Sequence, residues 1–194
     1  MHLPRAITAA FGRFPSVARA QELRFPVASP SRVAVLERGF ARSPAMREFG
    51  SEDFESLAAW RPEALVLPLP VALSLADRNQ LPALTSWIVI LTSLPGQVLE
   101  QRHRDLLWHA FGVPVFEQLR GRDGVVIARE CEVHDGLHVE ENAAILETHP
   151  EGLIVSTLTG LTAEVVKEHC ECGAETPRIR NLARIKEKSR YATA

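Results

Sequence analysis

Apolar and polar positions along the chain fall into two textures. From about Arg32 to Gln118, short apolar runs alternate with amphipathic stretches. Val33-Ala-Val-Leu36, Ala64-Leu-Val-Leu67, Trp87-Ile-Val-Ile-Leu91 and Val113-Pro-Val-Phe116 read as buried strands, because no polar residue interrupts them. Between them, 52–60 reads as a short helix closed by Pro62. The stretch 97–111 carries Val98, Leu106, Leu107 and Ala110 among charges, a helical pattern ended at Gly112. Strand, helix, strand with short connections predicts a parallel layer. After Gly121 the runs 125–128, 137–139, 144–146 and 153–157 are shorter. Turn signals at Asp135-Gly136, Glu141-Asn142 and Pro150-Glu-Gly152 divide them, as in an antiparallel meander. The expected fold is α/β: a partial parallel sheet with flanking helices, followed by a smaller antiparallel β region. An N-terminal arm or helix would occupy 1–31, the α/β layer 32–118, and a β-rich subdomain with a basic C-terminal tail 119–194.

Composition narrows the function classes. With 194 residues, 46% hydrophobic and 24% charged, the chain can bury a core, which excludes disorder and coiled coil. Its formal charge is −2, from 22 basic and 24 acidic residues, so no net field draws it to nucleic acid or to an acidic membrane. The apolar stretch 64–76 is too short to span a bilayer and contains Pro68 and Pro70, so no membrane helix is expected. The first 21 residues hold Arg5, Arg13 and Arg19 without an acid, but Pro4 and Pro15 interrupt any helix and no secretory core is present. They read as an arm rather than a targeting segment. The segment 178–190 holds six basic residues and one acid, Glu187. It reads as a solvated tail, with an anion-binding arm as the other reading.

No phosphate-cradling, dinucleotide, zincin or nucleophile-elbow motif is present. The three cysteines are too few for a disulfide framework and fit a reducing, cytoplasmic compartment. Cys131 ends a predicted strand, and His138 follows across the Asp135-Gly136 turn, so a hairpin would bring the two together. Cys170-Glu-Cys172-Gly173 adds two thiolates on a tight turn. Three thiolates and one imidazole fill a tetrahedral zinc shell, which leaves no open position and makes the site structural. His134 and His169 compete with His138 as fourth ligand. His2, His103, His109 and His149 read as solvated or packing residues.

Phe111-Gly-Val-Pro-Val-Phe116, Glu130-Cys-Glu132 and Asp135-Gly-Leu-His-Val139 together resemble the central part of the phenylacetate–CoA ligases, within the adenylate-forming acyl-CoA synthetases. The order continues through Gly152 to Thr159, then Cys170 to Gly173 and Pro177 to Ile179. Arg61-Pro62 with Leu67-Pro-Leu-Pro70 matches more loosely. The resemblance covers about residues 61–180. It implies that Cys131, His138, Cys170 and Cys172 hold a structural zinc ion.

Departures from the family pattern shape the expected function. Where the family's Tyr-Gly-x-[Ser/Thr]-Glu motif stacks on adenine and helps hold magnesium, this chain reads Leu119-Arg-Gly-Arg-Asp123. The ribose-binding Gly-Asp has no counterpart between Gly160 and His169, and Lys186-Glu-Lys188 replaces the acidic hinge. Family members are also longer, with a phosphate loop before this region and a lysine-bearing domain after it. Adenylation needs these elements together, and losing one costs roughly 10²–10³-fold. The expectation is a shortened relative without independent adenylation, serving as a zinc-stabilised binding or interaction protein for a small acyl or aryl ligand or a partner chain. Because family members are commonly dimeric, a homo-oligomer is expected. The alternative is an enzyme: part of a split acyl- or aryl-CoA ligase, or a repurposed pocket using Arg120, Arg122, Asp123 and Arg184. A nucleic-acid module fits least, since only Tyr191 interleaves with the basic tail.

Overall fold

The computed structural model describes residues 23–27, 30–40, 43–78, 84–93, 98–121, 124–140, 147–148, 153–156, 161–166 and 168–184. Five parallel strands lie in the order β2 (Met46–Glu48), β1 (Val33–Val35), β3 (Ala64–Pro68), β4 (Ile88–Ser93) and β5 (Val115–Arg120). Three helices connect them: α1 (Phe54–Trp60), α2 (Leu69–Arg78) and α3 (Gln101–Phe111). The register sets Leu65 beside Ile88 and Ile88 beside Val115. Alternation then divides the apolar runs between two faces. Ala34, Leu65, Leu67, Ile88, Ile90 and Val115 pack with Leu57, Leu75 and Leu107 of the three helices. Val33, Val35, Val66, Trp87, Val89 and Phe116 face the other way, under Leu23, Phe25 and Phe40.

Local chemistry explains the element ends. The apolar run 64–76 becomes a strand and a helix, because Pro68 closes β3 and Pro70 sits in the first turn of α2, where a missing N–H costs nothing. That helix, absent from the sequence reading, buries Leu69, Ala72 and Leu75. α1 ends where Arg61 turns left-handed (φ 52°), one residue before Pro62. α3 begins at Gln101 rather than 97, because Glu100 is extended and exchanges a reciprocal cap with His103. Gly112 closes it, donating its N–H to the Trp108 carbonyl at 2.8 Å.

The antiparallel strands do not form a separate sheet. β6 (Val126–Glu130) pairs with β5 and continues through β7 (Leu137–Val139), β11 (Arg178–Arg184), β10 (Leu161–Val166), β9 (Leu153–Ser156) and β8 (Glu147–Thr148). The strand expected at 144–146 lies outside the described residues. The basic segment is a correction: its first seven residues are β11, between β7 and β10. Charge masked this strand, because Arg178 is itself buried and Ile179 supplies core on the same strand. The remainder, 185–190, lies outside the described residues. No helix among the described residues is long and apolar enough to cross a membrane.

The seam between the two halves is polar. Arg104 of α3 donates to the Val115 carbonyl and to Glu130 Oε2, both at 2.9 Å. The same Glu130 oxygen accepts the backbone N–H of Glu117 at 2.9 Å. Glu117 accepts from the Thr92 hydroxyl at 2.8 Å and lies 3.5 Å from Arg104 Nη2. Both carboxylates are buried. Burial pushes the Glu117 carboxyl up to about 7, against the opposing pull of the Thr92 hydroxyl and the Arg104 guanidinium.

An unfolded glutamate ionises near 4.5, so the stability this group confers is full below that pH. It falls as pH rises towards about 7 and is level above, a change on the order of 3 kcal/mol. Glu117→Gln stays neutral and keeps an acceptor for Thr92. Denaturant midpoints of this variant should therefore vary less between about pH 5 and about pH 8 than those of the unaltered chain. Parallel curves would contradict a raised Glu117.

Candidate metal centre

Two loops at one end of the antiparallel region converge. Cys131 follows directly on β6, and its carbonyl accepts the His134 N–H at 3.1 Å. His134 and Gly136 then adopt positive φ (57° and 87°), reversing the chain into β7, which carries His138. A Cβ on Gly136 would lie 2.8 Å from the Ile179 carbonyl oxygen, so close passage of β11 also requires glycine there. The second loop joins β10 to β11. In it the Gly173 N–H closes on the Cys170 carbonyl at 3.1 Å, presenting Cys170 and Cys172 from one turn.

Arg178 clamps the two loops together. Its side chain is 2% exposed; Nη1 donates to the Asp135 carbonyl at 2.7 Å and to the Asp135 carboxylate, and Nη2 donates to the Glu168 carbonyl at 2.9 Å. Since β7 and β11 pair with His138 opposite Arg178, the clamp and the imidazole share one register.

The ligand atoms of Cys131, His138, Cys170 and Cys172 all lie within 4.8 Å of one another, so the cluster could hold a metal ion. Cys131 Sγ and Cys170 Sγ are 3.6 Å apart, and Cys172 Sγ is 3.3 Å from His138 Nε2. Metal–sulfur and metal–nitrogen bonds of about 2.3 Å and 2.1 Å in a tetrahedron imply edges of roughly 3.5–3.8 Å, so the donor set fits. The Thr176 hydroxyl stands 3.1 Å from His138 Nδ1, orienting the ring so that Nε2 meets the thiols. Burial lowers His138 and so favours the neutral imidazole that ligates. Burial also pushes the Cys131 thiol up to about 12. Cys170 falls on balance: burial raises it, but the Cys172 backbone N–H and hydrogen bonds from Cys172 and Cys131 outweigh that. A bound cation deprotonates such thiols outright.

The other candidates lie elsewhere. His134 stacks on Phe116, ring centroids 4.4 Å apart, and its Nδ1 meets Glu130 Oε1 at 3.1 Å. His169 is exposed and outside the cluster. His103 caps α3, and His109 is exposed in its last turn. Arg122, Asp123, His2 and His149 lie outside the described residues, and Arg184 is described only as backbone of β11. Thr176, Asp135 and Arg178 were missed as supports of the centre. Pairing of β7 with β11 recruits them, and no local spacing signals it.

Arg120 ends β5 at the carboxyl edge of the parallel strands, where open α/β sheets receive ligands. Its Nη2 donates to both oxygens of Glu37, at 3.0 and 2.8 Å, and its guanidinium lies 5.7 Å from the Phe40 ring centre. Glu37 follows β1, and β3 and β4 stand between β1 and β5. The pair therefore reaches across three strand spacings, about 14 Å at roughly 4.8 Å each. The Arg120 side chain is 6% exposed.

No family model and no curated protein matches the sequence. Among solved structures, 2-hydroxyisobutyryl-CoA ligase in an open conformation with 2-HIB-AMP and CoA superposes with a TM-score of 0.59 at 12% identity, over 78% of this chain and 47% of that one. The same ligase in the thioesterification state gives 0.59 at 14% identity, over 82% and 45%. The chain spans about half the length of these structures. At this identity the likeness is one of fold: the mixed sheet and flanking helices described above superpose on part of that ligase.

Proposed function

We propose that this chain is an adenylate-forming-type scaffold, similar in motif to the phenylacetate–CoA ligases, held by a structural zinc ion and acting as a binding or interaction protein without independent adenylation. The single observation carrying the reading is the Arg120–Glu37 pair. It lies where an adenylating sheet would receive nucleotide, at the position of the family's adenine-stacking motif. A nucleotide entering that crevice must part a two-oxygen ion pair whose guanidinium is buried and whose carboxylate is partly exposed, which opposes its entry. What the scaffold would hold is a small acyl or aryl ligand or a partner chain, including a second copy. The thiol-rich centre suits a reducing compartment such as the cytoplasm.

Zinc suits a closed set of three thiolates and one imidazole, in which the ion's contribution is to tie the two loops together. Metal analysis of freshly purified protein should give about one zinc per chain. Cys172→Ser should lower zinc content and thermal stability together, and chelation of the unaltered chain should reproduce that loss. Stability unchanged by chelation would show that the centre is not structural.

Calorimetric titration with ATP and magnesium, with and without phenylacetate, should show no binding heat. Micromolar binding would overturn the reading and favour the alternative of an acyl- or aryl-CoA ligase component working with a complementing chain.

A further inference from the structure

Among the described residues the helical layer stops at α3, but the sheet runs on through β6, β7 and β11. Beside α3 this leaves a cavity of about 760 Å³, within the size range of small-molecule sites. It adjoins Pro114 and Val115 at the amino end of β5. Arg120 and the strand-end crevice are at the other end of the same strand, so the two places are separate.

Apolar walls come from Val98, Leu99, Leu137, Ile179 and Leu182, and Trp108, 55% exposed, belongs to the lining. The charged lining is one-sided. Five carboxylates (Glu100, Asp105, Glu117, Glu130 and Asp135) and two guanidiniums (Arg104 and Arg180) line the cavity, and Glu100 and Asp135 pair with Arg102 and Arg178 beside it. Arg104 is engaged by Glu130 and Glu117 at the floor, and Arg180 lies 3.7 Å from Glu164. Asp105, which accepts from Gln101 Nε2 at 2.8 Å, is the lining carboxylate that makes no ion pair among the described residues, so an ammonium group meets its charge whereas an anionic ligand meets guanidiniums already paired. A cation gains from the carboxylates, and an indole face beside them adds cation–π attraction of about 0.5–1 kcal/mol at an exposed position. Burial of Glu117 works in the same direction, since a cation alongside offsets the desolvation of its carboxylate.

We propose that this cavity binds a small organic cation: an ammonium group carried on an aromatic or short aliphatic body. The body covers the apolar wall between α3 and β11, and the ammonium group faces the carboxylates and Trp108. The site does not depend on the fate of the strand-end crevice, so it stands or falls independently of the adenylation reading.

The test uses 2-phenylethylamine and its anionic counterpart 3-phenylpropanoate on the whole chain, with binding followed by calorimetry and by the indole resonance of Trp108. The amine should bind and shift that resonance, weakening as salt is raised; the carboxylate should do neither. Trp108→Ala and Asp105→Lys alter exposed residues of α3 and should leave the fold intact, and each should weaken the amine by about tenfold. Equal binding of the two probes, no binding of the amine, or amine binding indifferent to both variants would each overturn the proposal.

Discussion

A guanidinium and two carboxylates, all largely withdrawn from water, sit where the sheet changes from parallel to antiparallel. Arg104 reaches from the last helix to the last parallel strand and the first antiparallel one, and Glu130 takes the Glu117 N–H that a ladder partner would otherwise receive. The two carboxylates repel one another and are tolerable because Arg104 lies between them; its removal would strand buried charge at a cost of about 3–5 kcal/mol. Cys131 is the next residue after Glu130, so the seam also sets where the first metal ligand emerges. The rest of the antiparallel region hangs from this junction.

The metal centre repeats that logic with another guanidinium. Arg178 ties the turn after β6 to the loop after β10 through carbonyl oxygens as well as a carboxylate, and thereby fixes backbone rather than only side chains. Four ligands from two loops then meet without help from a regular element, except for His138 on β7. A metal ion held there would add cohesion to a region whose buried cluster among the described residues is Leu119, Ile127, Ala128, Leu137, Ala163 and Ile179. The parallel half has no comparable need, because helices cover one face and the 23–25 segment with Phe40 packs on the other.

The two ends of β5 have opposite characters. At its carboxyl end a protein carboxylate satisfies a buried guanidinium in the place where the fold ordinarily admits a ligand. Near its amino end, where helical cover runs out, an acid-lined cavity remains open. A fold shared with acyl-CoA ligases thus does not by itself say where this chain binds, since function resides in the groups that line a site rather than in the sheet beneath it.

Four of the five parallel strands were legible in the sequence because burial on both faces demands unbroken apolar runs, whereas the edge strand β2, Met46–Glu48, is largely exposed and carries no such run; a helix as clearly capped as α3 shows its end at Gly112. The four residues of the cluster were legible as residue types at suggestive spacings; spacing alone left His138 open against His134 and His169, and the resemblance pointed to His138. That choice depends on which ring faces the thiols, and the pairing of β7 with β11 and the Thr176 hydroxyl decide it. α2 was hidden because an apolar run carries no periodicity until a neighbour covers one side of it. β11 was hidden because arginine reads as solvated unless something distant neutralises it. The sequence by itself determined the four apolar strands of the parallel half, the helices α1 and α3, and the chemistry available to the centre. Only the tertiary structure decided which charges are buried, since a buried ion is stable solely beside partners brought from far along the chain.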